Sequence, residues 1–480
     1  MQKRTSIIVT FSLLLYLGIP ILTFPLLVKA FDISSYGIWI EANTIVSLLV
    51  TLSAQGLANA LGAMIVKENT DQQVIYANTL YSVLLIGSIL TFALYLSAPV
   101  VSSVTIRDPR GLQILQILAI DILLFALNIL TFQVYRLQNR PLTGAVFDII
   151  VVAVRLGSVF FALMSKDLIA FALVHVGAHS IATVFQVTVA FARVKFTRPS
   201  WTMMLKLFGY GLNLSMVSQA NWVVMYGDRL MLSFLATSAA VAVYAASYQL
   251  TSILVALGWP HLYTLLPTLG EHWKAGNVIA IHMSVRQSTR MIFITVIPGI
   301  FGLALIGNDL LKLLANSDFA QGGVLIGMIA IGISLDIIGT SLQYIFYTQD
   351  RVQTLRNIYG RAMILNILAN LIAIPLFSYS GAGLTTMLTF FYIFYSLWRN
   401  TKMPFKILFD INVIWRCLIA GAVMGAWVIV VVEASVIRLA VAIGGGAIIY
   451  GAGIIFLNVI SLNEVLSIPR AIIRRATTAS

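Results

Sequence analysis

The sequence predicts an all-α polytopic membrane protein of about fourteen transmembrane helices. Three observations predict it. Of 480 residues, 60% are hydrophobic and only 10% charged, with a mean hydropathy of +0.95. A soluble globular chain is about a quarter charged. Apolar runs of spanning length recur from end to end, and the tethers between them are too short to fold alone. The runs are also continuous, unlike the alternating segments of roughly ten residues that build a membrane β-barrel. A soluble enzyme is thereby excluded. The net charge of +13 reads as orientation bias and contact with anionic membrane lipid, and no nucleic-acid partner is expected. The single cysteine, Cys417, allows no internal disulfide and no thiolate metal site.

A spanning helix needs about 20 mostly apolar residues. Span 1, 5–28, follows Lys3 and Arg4 without a small-residue cleavage site and exceeds a signal-peptide core, so it reads as a retained helix. Spans 2 to 6 lie at 37–63, 75–99, 112–134, 142–164 and 168–191. The basic segment 192–207 then leads to spans 7 and 8, 208–235 and 239–265, joined by only a short connection. Spans 9 to 12 are 290–308, 322–346, 361–378 and 381–398, the last pair meeting closely about Ser380. Spans 13 and 14, 411–432 and 438–460, precede a basic tail.

Lys and Arg in the loops set the orientation. With the N-terminus inside, 21 fall on the inner side and 6 on the outer. So lopsided a distribution over short loops predicts both termini in the cytoplasm and an even number of spans.

A faint repeat divides the chain. "FPLLVKAFDISSYGIWIEANTIVSLL" around spans 1 and 2 matches "DRLMLSFLATSAAVAVYAASYQLTSIL" around spans 7 and 8, with Tyr36 and Tyr244 in corresponding places. The offset is six spans, so the halves share one orientation and predict parallel bundles with a cavity between them. The expected domains are 1–205, 206–408, and 409–480 with two extra helices and the tail.

Charges inside spans are costly and mark pairs or function. Glu41, Asp121, Asp148, Arg155, Asp228, Arg229 and Asp336 are such residues. Asp148 and Arg155 lie seven apart, about 10 Å along one helix, and read either as a bridged ion pair or as functional groups. Asp121 and Asp336 have no partner nearby in sequence. Each is a candidate proton-coupling site or a neutral, hydrogen-bonded acid, with Asp148 next in line. His175 and His179, at i and i+4, read as a polar cavity face rather than a metal site, since no H-E-x-x-H motif surrounds them. Asn43, Gln55 and Asn59 on span 2, with Asn213, Gln219 and Asn221 on span 7, suggest a wet path. On the cytoplasmic stretch Glu271–Arg290, the residues His282, Arg286 and Arg290 form one basic helical stripe. It reads as a collector of anionic cargo or as an anchor to anionic lipid. The tail, with Leu462, Leu466, Arg470, Ile472, Ile473, Arg474 and Arg475, reads as an interfacial amphipathic segment.

No G-x-x-x-x-G-K-[ST] loop, no G-x-S-x-G elbow and no acidic metal cluster occurs, so neither catalysis nor a cofactor is expected. With these spans in place, the chain resembles the polysaccharide biosynthesis (O-antigen type) flippases of the multidrug/oligosaccharidyl-lipid/polysaccharide exporter superfamily. The resemblance is carried by Ser35-Tyr36-Gly37-Ile38-Trp39, Gln55-Gly56-Leu57, Asp228-Arg229-Leu230-Met231-Leu232 and Val241-Ala242-Val243-Tyr244, with Ala242 where the family often has Gly. It implies two six-helix bundles forming a V around a cavity. It also implies a polyprenyl-pyrophosphate-linked oligosaccharide as cargo, an ion gradient as drive, and the pathway's polymerase and chain-length proteins as partners. Such cargo needs cations for its pyrophosphate, and Arg forks bind phosphate oxygens bidentately. Arg155 and Arg229 are the candidates, with Asp228 beside them and Arg286, Arg290 and His282 at the entrance. A cation-coupled multidrug exporter of the same superfamily, or a non-transporting scaffold for wall assembly, stands as the alternative.

Overall fold

The computed structural model describes residues 23–460 except 68–70, 139, 264, 316, 405–407 and 434, and only the backbone of 66, 67, 141, 213, 214, 263 and 321. Most of span 1 and the whole basic tail lie outside the described residues. All regular structure among the described residues is helical. That is what a bilayer demands, because a helix satisfies its own backbone polar groups.

Helix α1 (Ile33–Val50) runs through a π turn (Thr51–Gln55) into α2 (Gly56–Lys67). Then follow α3 (Gln72–Val104), α4 (Pro109–Leu137), α5 (Pro141–Ser165), α6 (Leu168–Phe191), α7 (Trp201–Leu235), α8 (Ser238–Thr251), α9 (Ile253–Tyr263) and α10 (Leu265–Lys274). The chain continues with α11 (Val278–Leu314), α12 (Gly323–Thr348), α13 (Val352–Thr401), α14 (Ile411–Val431) and α15 (Val436–Phe456). Several starts are written in the sequence. The side chains of Asp32, Asp71, Asp108 and Asp167 accept backbone N–H bonds at the N-termini of α1, α3, α4 and α6, and Pro opens α4 and α5.

Among the described residues, eleven runs are long and apolar enough to cross a membrane. One of them, α13, is two helices. Ser378 has φ 52° and ψ −133°, and the chain reverses there. Asn366 bonds Thr389 and Asn370 bonds Thr385, so both pairs fold about that residue. Spans 11 and 12 are therefore a hairpin. Helix α7, of 35 residues, is about 52 Å long at 1.5 Å per residue. It too is long enough to cross, although Gln219, Asn221, Asp228 and Arg229 make it more polar than the eleven. The chain is a multi-span membrane protein with thirteen such passages among the described residues.

The chain forms two compact units. One comprises Met1–Gln249, Leu314–Phe319 and Gln353–Thr389; the other comprises Leu250–Leu313, Ala320–Val352 and Phe390–Ser480. In the first, α2 to α7 enclose a core that includes Leu61, Met64, Ile75, Leu130, Tyr135 and Phe147. Tyr135 stacks on Phe147 and donates to the Gln186 carbonyl at 3.0 Å. In lipid such helices gain little from apolar transfer, so close packing must hold them. Two motif glycines show how. A Cβ on Gly37 would stand 2.2 Å from the Ser238 carbonyl oxygen, and one on Gly56 would stand 2.7 Å from that of Gly211. In the second unit, α11, α14 and α15 pack through Ile294, Cys417, Met424 and Tyr450, and the Tyr450 hydroxyl donates to the Ile294 carbonyl at 2.9 Å.

Candidate functional site

The first unit carries the densest intramembrane polar chemistry. Asp228, on α7, is fully buried. Its Oδ1 accepts from Asn370 Nδ2 at 2.6 Å, and its Oδ2 accepts from the Tyr244 hydroxyl at 2.7 Å and from Thr386. Tyr244 and Thr386 also touch at 2.9 Å, while Asn370 bonds Asn366 at 3.2 Å. These donors replace the water a carboxylate would lose on burial, which is the condition for keeping such a group inside. They come from α8 and both arms of the hairpin and converge on the α7 carboxylate. The motif Tyr244 thus has a defined task, to hold Asp228.

Arg229, the next residue, points elsewhere. Its guanidinium lies 4.9 Å from the ring centres of both Tyr226 and Tyr248, and its Nε is buried without a hydrogen-bond partner. It makes no ion pair among the described residues. Aromatic faces support a cation without neutralising it. Arg155, on α5, is held likewise, 5.3 Å from the Phe125 ring centre. It forms no ion pair with Asp148, in keeping with their separation of two helical turns.

Asp121 has a partner that sequence distance concealed. Its Oδ1 accepts from His179 Nδ1 at 2.9 Å, and Asn128 Nδ2 bonds the other ring nitrogen of His179 at 2.7 Å. His175 stands one turn away, its Nδ1 3.1 Å from Ser158 Oγ and its Nε2 3.9 Å from Asp121 Oδ2. All four of Asp121, His175, His179 and Ser158 are buried. Asp148, on α5, and Asp336, on α12 in the second unit, are half-buried and make no ion pair among the described residues.

The basic stripe on α11 is partly engaged. Arg286 pairs with Asp410 at 2.8 Å, and Arg290 Nη2 donates to the Val459 carbonyl at 2.5 Å. Burial alone would raise the Asp410 carboxyl, but the bond from Arg286, the Val413 N–H and the field of both arginines hold it below its ordinary value. His282 is half-exposed. Arg286 and Arg290 therefore tie α11 to the entries of α14 and the end of α15. In the first unit, Arg110 bonds both Asp108 and Ser35, which joins α4 to the motif at the start of α1.

Sequence reasoning found Asp121, Arg155, Asp228, Arg229 and Asp336 as costly residues. It missed Asn366, Asn370, Thr385 and Thr386. The available signal was Asn366 and Asn370 at i and i+4 before the Ser380 connection, and the adjacent Thr385 and Thr386 after it.

A family model described as "Polysaccharide biosynthesis protein" matches residues 3–273, more than half of the chain. No curated protein matches. Among solved structures, the lipid II flippase MurJ in an inward closed conformation is similar at a TM-score of 0.75 and 14% identity, covering 94% of this chain and 98% of that one. An inward-facing multidrug resistance MATE family transporter of the MOP superfamily is similar at 0.68 and 10%, covering 81% and 94%. A MOP superfamily transporter from Pyrococcus furiosus is similar at 0.61 and 10%, covering 84% and 96%. At these identities the likeness is one of fold, and the fold is that of MurJ and the MATE transporters.

Proposed function

The chain belongs to the polysaccharide biosynthesis protein family, and on that premise we propose that it flips a polyprenyl-pyrophosphate-linked oligosaccharide across a bacterial inner membrane. The direction is from the cytoplasmic to the outer leaflet, for surface-polysaccharide assembly, by alternating access coupled to an ion gradient. Both termini are cytoplasmic in this reading.

The observation that carries the reading is the pair of intramembrane arginines, Arg155 and Arg229, seated on aromatic rings with no carboxylate partner among the described residues. A cation so placed is costly to maintain, and an arriving pyrophosphate would relieve that cost. The planar fork suits phosphate oxygens. Asp228 acts by position: it fixes α7 to the hairpin and so sets where Arg229 stands. Asp121, Asp148 and Asp336 are the coupling candidates. Of the entrance stripe, His282 and the exposed part of Arg286 remain to meet the pyrophosphate, since Arg290 is engaged by Val459. Membrane lipid, and the pathway's polymerase and chain-length proteins, are the partners of this reading.

The test is made in cells lacking this protein. Surface glycan should fall while its lipid-linked precursor accumulates on the cytoplasmic face, and the wild-type chain should reverse both. Normal surface glycan without precursor accumulation would remove the proposal.

A further inference from the structure

The hydrogens of the Asp121 cluster can be placed one by one. Ser158 has a single hydroxyl hydrogen, and of the two acceptors in its reach, the Arg155 carbonyl at 2.8 Å and His175 Nδ1 at 3.1 Å, the carbonyl is the nearer. With the hydrogen on that nearer carbonyl, the Ser158 oxygen accepts from His175, so His175 carries its hydrogen on Nδ1 and leaves Nε2 bare. A carboxylate cannot donate, so the hydrogen between His179 and Asp121 is on His179 Nδ1; the other ring nitrogen accepts from Asn128. Two atoms remain, Asp121 Oδ2 and His175 Nε2. Both are acceptors, both are buried without a hydrogen-bond partner, and they stand 3.9 Å apart.

Two lone pairs facing each other in a buried site are unfavourable. One proton on Nε2 reverses this, because N⁺–H then points at a carboxylate oxygen and a charge-assisted bond of about 2.8 Å can close. We propose that Asp121, His175 and His179 form a proton-binding site, in which one proton is taken up at His175 Nε2 and shared with Asp121 Oδ2. The site deepens the coupling part of the proposed function: it names the ion as a proton and His175 as its carrier.

The surroundings fit. Helix α4 supplies Asp121, α6 supplies both imidazoles, and α1 presents the uncharged Trp39 ring edge-on to His175 at 5.4 Å. Helix α5 supplies Arg155, which is near enough to act electrostatically on His175. Like charges repel, so the proton and the guanidinium oppose each other until an anion neutralises Arg155. A sodium ion is a poorer occupant, because one nitrogen and one oxygen make a thin shell for an oxygen-seeking cation. No set of three or more metal-ligating groups gathers among the described residues.

The test uses the full chain in nanodiscs with ¹⁵N-labelled histidine, without any transport step. The wild type should show one buried Nδ1–H histidine that becomes an imidazolium as pH falls. Its signal should vanish in His175→Gln, and proton release measured with a pH dye should drop by one per chain. In Asp121→Asn its midpoint should fall by at least about one pH unit, a tenfold loss of proton affinity. A His175 in the Nε2–H form, a His175 that never titrates, or a midpoint unmoved by Asp121→Asn would each overturn the proposal. So would ²²Na⁺ binding that disappears in His175→Gln without any titration. If the histidine titrates as described but wild-type transport ignores a pH gradient, the coupling reading fails and the proton site stands.

Discussion

Asp228 and Asn370, 142 residues apart, are joined by a 2.6 Å bond from the amide nitrogen to the buried carboxylate. This contact pins α7 to the hairpin that turns at Ser378. Asp228→Asn would leave one of its three donors without an acceptor, since an amide oxygen has fewer sites and its nitrogen would face a donor. Leaving a buried polar group unpaired costs about 1–3 kcal/mol. The expected outcome is a lower melting temperature in detergent for Asp228→Asn, with a smaller loss for Tyr244→Phe, read by a thermal-shift assay. A melting temperature equal to wild type in both would show that the network does not hold the unit together.

Arg229→Ala should stop glycan export while the protein still inserts at normal levels, and Arg229→Lys should restore only part of it, because a point charge replaces the planar fork. Arg155→Ala should behave alike. Surface-glycan blots, with membrane fractions as the control for insertion, separate lost transport from lost protein.

The remaining acids, Asp148 and Asp336, give a different pattern if they share in coupling. Asp→Asn at either should permit cargo binding but reduce the response of transport to an imposed ion gradient. Transport by both variants that follows the gradient as the wild type does would leave the ion to the Asp121 site alone.

The Arg286–Asp410 pair predicts a modest pH effect. Asp410 is held below its ordinary value, so its contribution to stability is complete above the unfolded-state value near 3.9 and is lost as pH falls through the lower folded value. The pair is partly exposed, with side-chain exposures of 40% and 24%, so solvent screening limits it to about 1 kcal/mol. Melting temperatures from pH 7 down to pH 3 should fall less steeply in Asp410→Asn than in wild type.

How far the sequence reached can be seen residue by residue. Helices were legible because the bilayer imposes long apolar runs, and Asp108-Pro109 or Asp167 announce helix starts locally. The hairpin was legible as two spans because Ser380 sits in a polar gap, although the turn itself is at Ser378. Costly residues such as Asp228 and Asp121 were legible as singular charges. Their partners were not: Asn370 and His179 lie 142 and 58 residues away, and helical periodicity says which face a residue occupies but not which helix meets that face. The same limit explains Arg286 and Arg290. Their stripe was visible on one helix, while the groups that engage them, Asp410 and the Val459 carbonyl, belong to others.

The central claim is tested most directly by purified protein reconstituted into liposomes with a fluorescent polyprenyl-pyrophosphate-linked oligosaccharide, its head group scored by an impermeant quencher. The account predicts that wild-type protein makes the inner-leaflet fraction accessible well faster than protein-free liposomes, and that Arg229→Ala returns the rate to the protein-free level. Equal rates with and without wild-type protein, or an Arg229→Ala rate equal to wild type, would contradict it.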